Sequence, residues 1–317
     1  MSRKLWRAKE NVRKGSTRTA TDEERHLISS CGRGVAAAVI AALSLLLGGI
    51  VSAQDTAQPS SAPPPADSAV APAASTKETT SEEFQKLENL DRDLTVIRTK
   101  TDILSEFTDR PGNGWFEKLT LGTTYGFRLP GVSPEHEYGV RLQAPLAFAD
   151  PGSGGGATKG GLGDIELKTG WAWIPDEVNR LGFFGNFKFN TATDDILGDN
   201  RNDYSLGLAG SHQIIPNRFS VFVLAEYLDT ITREDGVPSR NALELSFNPI
   251  VRIVGPLSAN FLFKDKLDFK TDDNFALIEP GLSMLLAKHL GISTSIEIPI
   301  EDRSYTYIAK IGLVWFY

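Results

Sequence analysis

The chain has 317 residues, of which 41% are hydrophobic and 23% charged, a composition typical of a folded protein. Residues 1–53 are basic, whereas the remainder carries 24 basic and 36 acidic residues, a formal charge of −12. Binding to a phosphate backbone needs clustered Lys and Arg, so we expect no nucleic-acid partner. The single cysteine excludes a disulfide scaffold and a cysteine-ligated metal site. We expect no cofactor and no metal.

An export signal is predicted at the N-terminus. Residues 35–50 form an uncharged apolar run after a basic segment, and Val51-Ser52-Ala53 supplies small residues for cleavage after Ala53. The alternative is a permanent anchor helix, but the run is shorter than the roughly 20 residues that span a bilayer. Cys31 precedes the apolar run, so it does not fit a lipidation site. Signal removal over 1–53 leaves a cysteine-free chain, which suits a bacterial envelope protein.

A linker and an amphipathic segment follow the predicted signal. Residues 54–80 are rich in Ala, Pro, Ser and Thr, and we expect a disordered linker there. In 81–110, apolar residues recur at spacings of three and four, which indicates one apolar helix face. Ser81 is a suitable N-terminal cap for this helix. The alternative is that 93–107 contains a first strand. The apolar positions are Phe84, Leu87, Leu90, Leu94, Ile97 and Leu104.

From Lys118 to the C-terminus, apolar and polar residues alternate with a period of two, which predicts β-strands. Most of the predicted strands have 10 to 14 residues, whereas strands of soluble proteins usually have five or six. Membrane-spanning strands need roughly 9 to 11 residues. Eleven strands are predicted, at 118–129, 136–149, 162–173, 181–193, 203–213, 217–230, 240–254, 257–269, 274–287, 290–300 and 304–317.

This pattern predicts an all-β fold, a transmembrane antiparallel up-and-down β-barrel over 111–317 with a short N-terminal helical or coiled extension. One apolar face per strand needs a cover, which lipid provides in an outer membrane and a second sheet provides in a soluble β-sandwich, the alternative fold. Short turns alternate with longer polar loops, as in bacterial barrels. The last strand must end on the short-turn side, and parity then requires a twelfth strand inside 93–110.

The C-terminal strand carries an outward apolar row that ends in an aromatic residue. Such a row resembles the signal by which bacterial barrels enter the outer-membrane assembly machinery, so lipid and that machinery are the expected partners. Aromatic residues at strand ends also suit the girdles at membrane interfaces. The outward row consists of Tyr305, Tyr307, Ala309, Ile311, Leu313, Trp315 and Tyr317.

Three short motifs stand out in the predicted strands and loops: Gly161-Leu162-Gly163-Asp164, the apolar-Pro step Leu142-Gln143-Ala144-Pro145-Leu146, and the small polar stretch Asn190-Thr191-Ala192-Thr193. Together they resemble a family of proteobacterial outer-membrane transport proteins named for the meta-pathway of phenol degradation. The resemblance covers 118–317, although Asn190-Thr191-Ala192 replaces the family's Pro-Thr-Gly. It implies an outer-membrane barrel that passes aromatic or other apolar molecules, and it supplies no catalytic residues.

Strand parity also predicts which charges line the interior. Unpaired charges in a narrow barrel are costly, so most of these residues are expected to pair and fill the lumen, with a weakly charge-selective pore as the alternative. Asp164 is expected to be an inward charge at the rim, next to a turn at Gly161 and Gly163. The basic set is Lys118, Arg128, Arg141, Lys168, Lys188, Arg252, Lys264, Lys266 and Lys310, and the acidic set is Glu137, Asp164, Glu166, Glu226, Glu244, Asp268, Glu279 and Glu297.

Enzymatic motifs are weak in this sequence. Ser211 and His212 are neighbours on a predicted strand and point to opposite faces, which prevents a direct Ser–His couple. The stretch 152–156 is rich in glycine but lacks the lysine and the helix of a phosphate-binding loop. We therefore expect no enzyme, with a barrel-embedded lipid hydrolase as the weaker alternative.

The predicted function is passive or facilitated passage of small, aromatic or apolar molecules through an outer-membrane barrel. The alternative is a closed structural or adhesive barrel without transport. The N-terminal extension is expected in the periplasm, where residues 84–107 could mediate oligomer formation.

Overall fold

The computed structural model describes residues 74–90, 93–152, 157–270, 275–300 and 305–317. The predicted signal, 1–53, and most of the predicted linker lie outside the described residues. The described elements are helix α1 (Ala74–Leu90) and strands β1 (Lys100–Arg110), β2 (Gly114–Phe127), β3 (His136–Asp150), β4 (Lys159–Leu162), β5 (Glu166–Trp173), β6 (Asn179–Lys188), β7 (Arg201–Ile215), β8 (Phe219–Arg233), β9 (Asn241–Val254), β10 (Leu257–Asp268), β11 (Phe275–Ala287), β12 (Leu290–Pro299) and β13 (Tyr307–Phe316).

The strands form one closed antiparallel barrel. Strands β4 and β5 pair with successive parts of β3, so together they occupy one position in the wall. Every other strand pairs with its neighbours in chain order, and β1 pairs with β13 over ten residues, from Lys100↔Phe316 to Asp109↔Tyr307. This ladder leaves no free edge. The barrel thus has twelve wall positions, which confirms the predicted architecture and its parity.

The two ends of the barrel differ in the length of their connections. Residues 174–178, 216–218, 255–256 and 288–289 make tight connections at the end where β13 finishes, which we name the short-turn rim. The 128–135 segment also lies at this rim. The opposite end carries most of the longer connections, among them 189–200 and 234–240, and we name it the long-loop rim.

Alternation along each strand separates an apolar exterior from a mixed interior. Leu208 lies at the middle of β7 and has 65% of its surface exposed, whereas the next inward residue along the strand, Ala209, is buried. Buried polar residues such as Asn248 and Glu279 lie on the inner face. The exterior belt includes Leu119, Leu121, Leu142, Phe148, Phe183, Leu206, Leu208, Val223, Leu245, Phe247, Phe261, Ile298, Ile311 and Leu313.

Several boundaries differ from those predicted. Helix α1 begins at Ala74, inside the predicted linker, and ends at Leu90, after which the Asp93 amide donates to the Glu88 carbonyl. The described helix is neither long nor apolar enough to cross a membrane. The predicted strand 162–173 is interrupted between β4 and β5, and the predicted strand 181–193 ends at Lys188. The last two differences have one cause, because residues 189–200 fold into the barrel and take up the broken part of the wall.

A closed barrel of this kind should resist unfolding by dodecyl sulfate at room temperature, because the backbone ladder has no edge at which it can open. We expect unheated protein to migrate differently from boiled protein in gel electrophoresis. Protein unfolded in urea before loading is the control, and it should match the boiled sample. Equal mobility of all three samples would contradict a closed barrel.

Candidate functional site

The interior of the barrel contains a cavity of about 660 Å³. Side chains from α1, from all of the barrel's wall positions and from the 189–200 segment line it. Its wall carries both signs of charge. The predicted lumen residues that line the cavity are Lys118, Arg141, Asp164, Glu166, Lys168, Lys188, Glu226, Glu244, Lys264, Glu279 and Lys310.

Most of these charges are paired with a charge of opposite sign on an adjacent strand or on the next strand but one. Arg141 makes a two-pronged contact with Asp102, with N–O distances of 2.6 and 2.7 Å. Lys310 binds Glu279 at 2.8 Å and Glu297 at 2.6 Å. Burial of a charge is tolerated where such partners replace water. Arg141 and Lys310 thus have partners of opposite charge in this wall, and Asp102 is a partner that the predicted lumen set does not include.

The remaining ion pairs of the lumen follow the same pattern. Lys264 binds Glu244 at 2.8 Å, and Lys188 binds Asp199 at 2.7 Å. Lys118 pairs with Glu106 of β1. Asp102, Glu106 and Asp199 are absent from the predicted lumen set, because alternation marks 93–110 only as a candidate strand and residue 199 lies between the predicted strands 181–193 and 203–213. The alternation of Lys100, Asp102, Leu104 and Glu106 with Thr101, Ile103, Ser105 and Phe107 is the signal that marks β1.

Six predicted lumen residues lie outside the cavity lining, namely Arg128, Glu137, Arg252, Lys266, Asp268 and Glu297. Arg128 follows the end of β2 and pairs with Glu137 at the short-turn rim. Arg252 reaches Glu83 of α1, and Glu297 binds Lys310 behind the cavity surface. Lys266 lies near the long-loop end of β10, within 3.9 Å of Asp268 and over the ring of Phe275.

An apolar patch on the inner wall was not expected from the sequence. Phe184, Ala209, Phe222 and Leu224, on the adjacent strands β6, β7 and β8, all line the cavity. The ring of Phe184 lies over Gly207, where a β-carbon would come within 2.1 Å of it. A side chain at residue 207 would displace the ring. We name the four residues the apolar patch.

Residues 189–200 fold inward at the long-loop end, and we name this segment the inward loop. Asp164 holds it, because one carboxylate oxygen accepts from the amides of Thr191 and Ala192 and the other from the amide of Asp199 at 2.7 Å. Asp164 is buried and also lies 3.7 Å from Lys188. It is thus an anchor for a loop rather than a simple rim charge.

The three sequence motifs meet at this anchor. Gly163 donates its amide to the carbonyl of Pro145, and Thr193 donates to the carbonyl of Leu162. A β-carbon on Gly161 would lie 2.0 Å from the hydroxyl of Thr193. The glycines therefore allow the inward loop to approach the gap between β4 and β5, and Asp164 supplies its hydrogen-bond acceptors.

Charge also holds the inward loop at its far end. Burial raises the pKa of Asp199, but Lys188, then Arg201 and Arg240, outweigh it and lower the pKa to about 2. Asp199 therefore stays ionised and keeps its contact with Lys188 at neutral pH.

The opposite end of the cavity is covered by α1 and by the link of residues 93–99, which together we name the cap. Phe84, Leu87 and Leu90 form the apolar face of α1, and they pack with Leu285, Val314 and Phe316 of the barrel wall. Phe316 is the last residue of β13, so the cap lies at the short-turn rim. The apolar face that the sequence offered for an oligomer is covered by the barrel in this structure.

Glycines in the rim make room for the cap. A β-carbon on Gly291 would lie 2.6 Å from Leu90, and one on Gly139 would lie 2.9 Å from Ile97. Gly126 meets Ile97 in the same way, at 3.1 Å. Because these residues have no side chain, Leu90 and Ile97 of the cap can pack directly on the backbone of the wall.

Polar contacts reach the cap from around the rim. The Glu83 carboxylate accepts from Arg252 of β9 at 2.9 Å, and the Lys86 ammonium donates to the carbonyl of residue 288 at 3.0 Å. Lys100 of β1 donates to Asn89. Because the partners belong to distant parts of the wall, the cap bridges the mouth.

The centre of the cap contact is a buried group of three charges, Glu88, Asp93 and Arg180, which we name the latch. Arg180 of β6 donates to Glu88 at 2.7 Å and lies 3.9 Å from Asp93. Gln213 also donates to Glu88, at 3.4 Å. Asp93 accepts from the amide and hydroxyl of Thr95, at 2.8 and 2.6 Å. All three charged side chains are almost fully buried.

The latch carboxylates resist ionisation. Burial raises the pKa of Glu88 to about 7, against the attraction of Arg180 and with the help of the negative charge of Asp93. Burial also raises the pKa of Asp93 above its usual range, although Arg180 and the Thr95 hydrogen bonds oppose the change. One guanidinium thus does not neutralise two carboxylates removed from water.

The histidines of the described chain have other partners than serine. His136 accepts from the indole of Trp171 at 3.1 Å, and His212 lies 2.8 Å from the amide oxygen of Asn179. Ser211 points inward to Thr95 while His212 points outward, as strand parity predicts. Among the described residues, no cluster of His, Cys, Asp or Glu has the arrangement of a metal site.

The C-terminal row faces outward in β13. Ile311, Leu313, Trp315 and Tyr317 are exposed, and they alternate with inward residues such as Lys310. Tyr305 and Tyr307 are half-buried, and the Tyr305 hydroxyl donates to Glu297 at 2.6 Å. Recognition of this row by assembly machinery stays a prediction.

Comparison with known proteins gives similarity to barrel structures. No family model and no curated protein matches the chain, so the resemblance to the phenol-pathway family stays a prediction. Among solved structures, the NanC porin is 9% identical with a TM-score of 0.49, over 68% of this chain and 99% of that one. The KdgM porin is 11% identical with a TM-score of 0.45, over 69% and 99%. The CymD monoaromatic hydrocarbon channel is 10% identical with a TM-score of 0.46, over 74% and 93%. These values do not transfer a function.

Replacing Asp164 with Ala should release the inward loop, because three backbone amides and Lys188 lose a buried charged partner. Hydrogen bonds to charged groups contribute about 1.5–3 kcal/mol each, so loop opening should rise at least roughly tenfold. Thermolysin cleavage of folded protein at Ile196 and Leu197 measures the opening. Glu166→Ala removes a carboxylate two residues away and is the control. Equal cleavage of both variants would show that Asp164 does not hold the loop.

Proposed function

We propose that the protein is an outer-membrane channel for small molecules that combine a charged or polar group with a small apolar part. The observation that carries this proposal is a cavity of about 660 Å³ inside a closed barrel, with a wall that is both charged and apolar. A barrel built only to display loops needs no such space.

The exterior of the barrel supports a location in a membrane. Leucine, isoleucine, valine and phenylalanine side chains cover the outward positions of consecutive strands, and many are about half exposed. Isolated apolar side chains are common on soluble proteins, but a continuous belt around a closed barrel requires an apolar solvent. The predicted export signal and C-terminal row support a location in the outer membrane of a bacterial cell, and the short connections support an orientation with the short-turn rim toward the periplasm.

The interior wall supports the choice of solute class. Paired charges such as Lys264 and Glu244 can bind a polar group of the solute transiently. A charged solute therefore passes along a polar part of the wall and does not have to cross an apolar surface. The apolar patch offers contact to a ring or short alkyl group. The aromatic or apolar solutes that the family resemblance implies fit the patch only if they also carry a polar group, because charges surround it.

The cap defines the closed state of this channel. It bridges the short-turn rim through contacts with β1, β6, β9 and β13, so passage requires that it moves. The alternative function, a closed structural or adhesive barrel, corresponds to a cap that never leaves its seat.

A charge on the exterior belt should impair membrane insertion. Leu208→Arg places a guanidinium at mid-strand on the outer face, which costs about 2–4 kcal/mol in a membrane barrel. The free energy of unfolding from lipid vesicles measures this cost. Glu177→Arg, in the turn 174–178, adds the same side chain outside the belt and should have little effect. Equal stability of both variants would argue against a membrane-embedded belt.

A disulfide tether between cap and wall tests conduction. A β-carbon on Gly291 would lie 3.3 Å from Leu90 Cγ, the atom that the sulfur replaces in a cysteine at residue 90. The two residues are therefore close enough to form a disulfide. We expect Leu90→Cys with Gly291→Cys, in a Cys31→Ser background, to block solute flux when oxidised and to restore it on reduction. Flux of benzenesulfonate and methanesulfonate into proteoliposomes is the measurement. The matched control is the Leu90→Cys single variant, which should not respond to reductant.

The solute class is tested with the apolar patch. Leu224→Ser should lower benzenesulfonate flux relative to methanesulfonate by roughly fivefold, since it removes about 1 kcal/mol of apolar contact. Ser246→Ala, at the position that pairs with Leu224 across the strands, is the control. An unchanged ratio would contradict the proposed solute class. Absence of flux for both solutes after reduction of the tether would favour the structural barrel.

A further inference from the structure

We propose that the cap is a proton-controlled gate, in which deprotonation of the Glu88–Asp93–Arg180 latch releases α1 and its link from the short-turn rim. The inference rests on the proposed channel for its consequence, the opening of the lumen. The release of the cap is a separate physical event that can be measured without transport.

The latch carries an imbalance of charge in a site closed to water. Glu88 and Asp93 belong to the cap, whereas Arg180 belongs to the barrel wall. Within the part of the chain that the structure describes, Arg180 is the one cation that contacts both carboxylates, and it lies across the interface between cap and wall. With both carboxylates ionised, the group has one excess negative charge. With one protonated, the charges balance.

The hydrogen bonds of the latch are incomplete. Asp93 Oδ2 and Arg180 Nη2 are buried and have no hydrogen-bond partner among the described residues. A partly satisfied buried network is costly, because each unpartnered polar atom has lost its water. Release of the cap would rehydrate both atoms, so this interface is poised between two states.

Other groups around the latch do not supply the missing positive charge. Gln213 of β7 and Ser220 of β8 face Glu88, and both are neutral. Ser211 of β7 faces the Asp93–Thr95 turn and is neutral as well. The wall cations Arg252 of β9 and Lys100 of β1 bind the cap elsewhere, at Glu83 and at Asn89. Arg98 of the cap's own link binds Gln85.

The sign of the pH dependence follows from this environment. When the cap leaves, Glu88 returns to water, where its pKa is near the ordinary 4.5, whereas in the seated cap it is about 7. The seated state therefore holds more protons. Its stability is complete below about pH 4.5, falls as the pH rises from there to about 7, and is lowest above pH 7. A shift of this size corresponds to a change in the seating equilibrium of up to roughly 300-fold. The raised pKa of Asp93 acts in the same direction.

The experiment follows the exposure of a thiol under the cap. Ser220 is fully buried beside Glu88, and Ser220→Cys in full-length protein with Cys31→Ser places one small thiol there. The rate of maleimide labelling in detergent micelles is compared at about pH 5.5 and about pH 8.5. The same rates for Glu177→Cys, an exposed position at this rim, correct for the intrinsic pH dependence of the thiol.

Variants of the latch separate proton control from general loosening. We expect the corrected labelling rate to rise at least roughly tenfold from acidic to alkaline pH, and we expect Glu88→Gln to keep the rate low at both. Asp93→Asn leaves Glu88 and Arg180 as a balanced pair and should give the same result. Glu82→Gln, a change at a half-exposed glutamate that binds Lys86 on the same helix, should keep the full pH response.

The outcomes distinguish the gate from the channel. A pH-independent rate, or an equal rise in the Glu88→Gln and Asp93→Asn variants, would overturn the latch. Single-channel conductance recorded at the same two pH values should rise together with labelling. If labelling rises as expected while conductance stays at zero, the gate stands and the proposed channel is wrong.

Discussion

The ladder between the first and the last strand is the contact on which the rest of the molecule depends. Ten paired residues of β1 and β13 close the sheet, and closure removes the exposed backbone donors and acceptors that an edge would leave. Closure also fixes which side chains face inward, because the period of a strand is two. Without closure, the apolar row of β13 would not face lipid and the charges of β1 would not face an enclosed lumen.

Inward charges are then a problem that the barrel solves locally. Arg141 finds Asp102, Lys310 finds two glutamates, and Lys264 finds Glu244. Each pair joins neighbouring strands or strands close in the wall, so the cavity persists although its wall is highly charged. Lys310 serves two carboxylates that also accept from Ser295 and Tyr305, whereas in the latch Asp93 Oδ2 and Arg180 Nη2 have no hydrogen-bond partner among the described residues. This incompletely bonded charge group therefore lies at the interface between the barrel wall and the cap.

The two ends of the cavity are closed by different physics. At the long-loop rim, Asp164 accepts three backbone amides, and the glycines beside it let the inward loop approach the wall closely. This contact is well satisfied and favours a permanent constriction. At the short-turn rim, apolar packing of α1 is combined with an incompletely bonded charge group. We therefore expect the inward loop at the long-loop rim to stay in place and the cap at the short-turn rim to move.

The period-two pattern by itself determined the barrel, its twelve wall positions, the outward row of β13 and most of the lumen charges, because these follow from local alternation and from the parity of connections. The period-two pattern did not predict the inward loop, since Asn190–Thr193 continue an acceptable strand pattern. These residues turn inward because they bind Asp164 and pack closely on the glycines beside it. The spacing of apolar residues in α1 predicted a helix, but it did not predict the surface on which the helix packs. Only the tertiary structure decided that Phe84 and Leu87 pack against the wall and that Glu88 meets Arg180, because contacts between residues so far apart in the chain leave no local period.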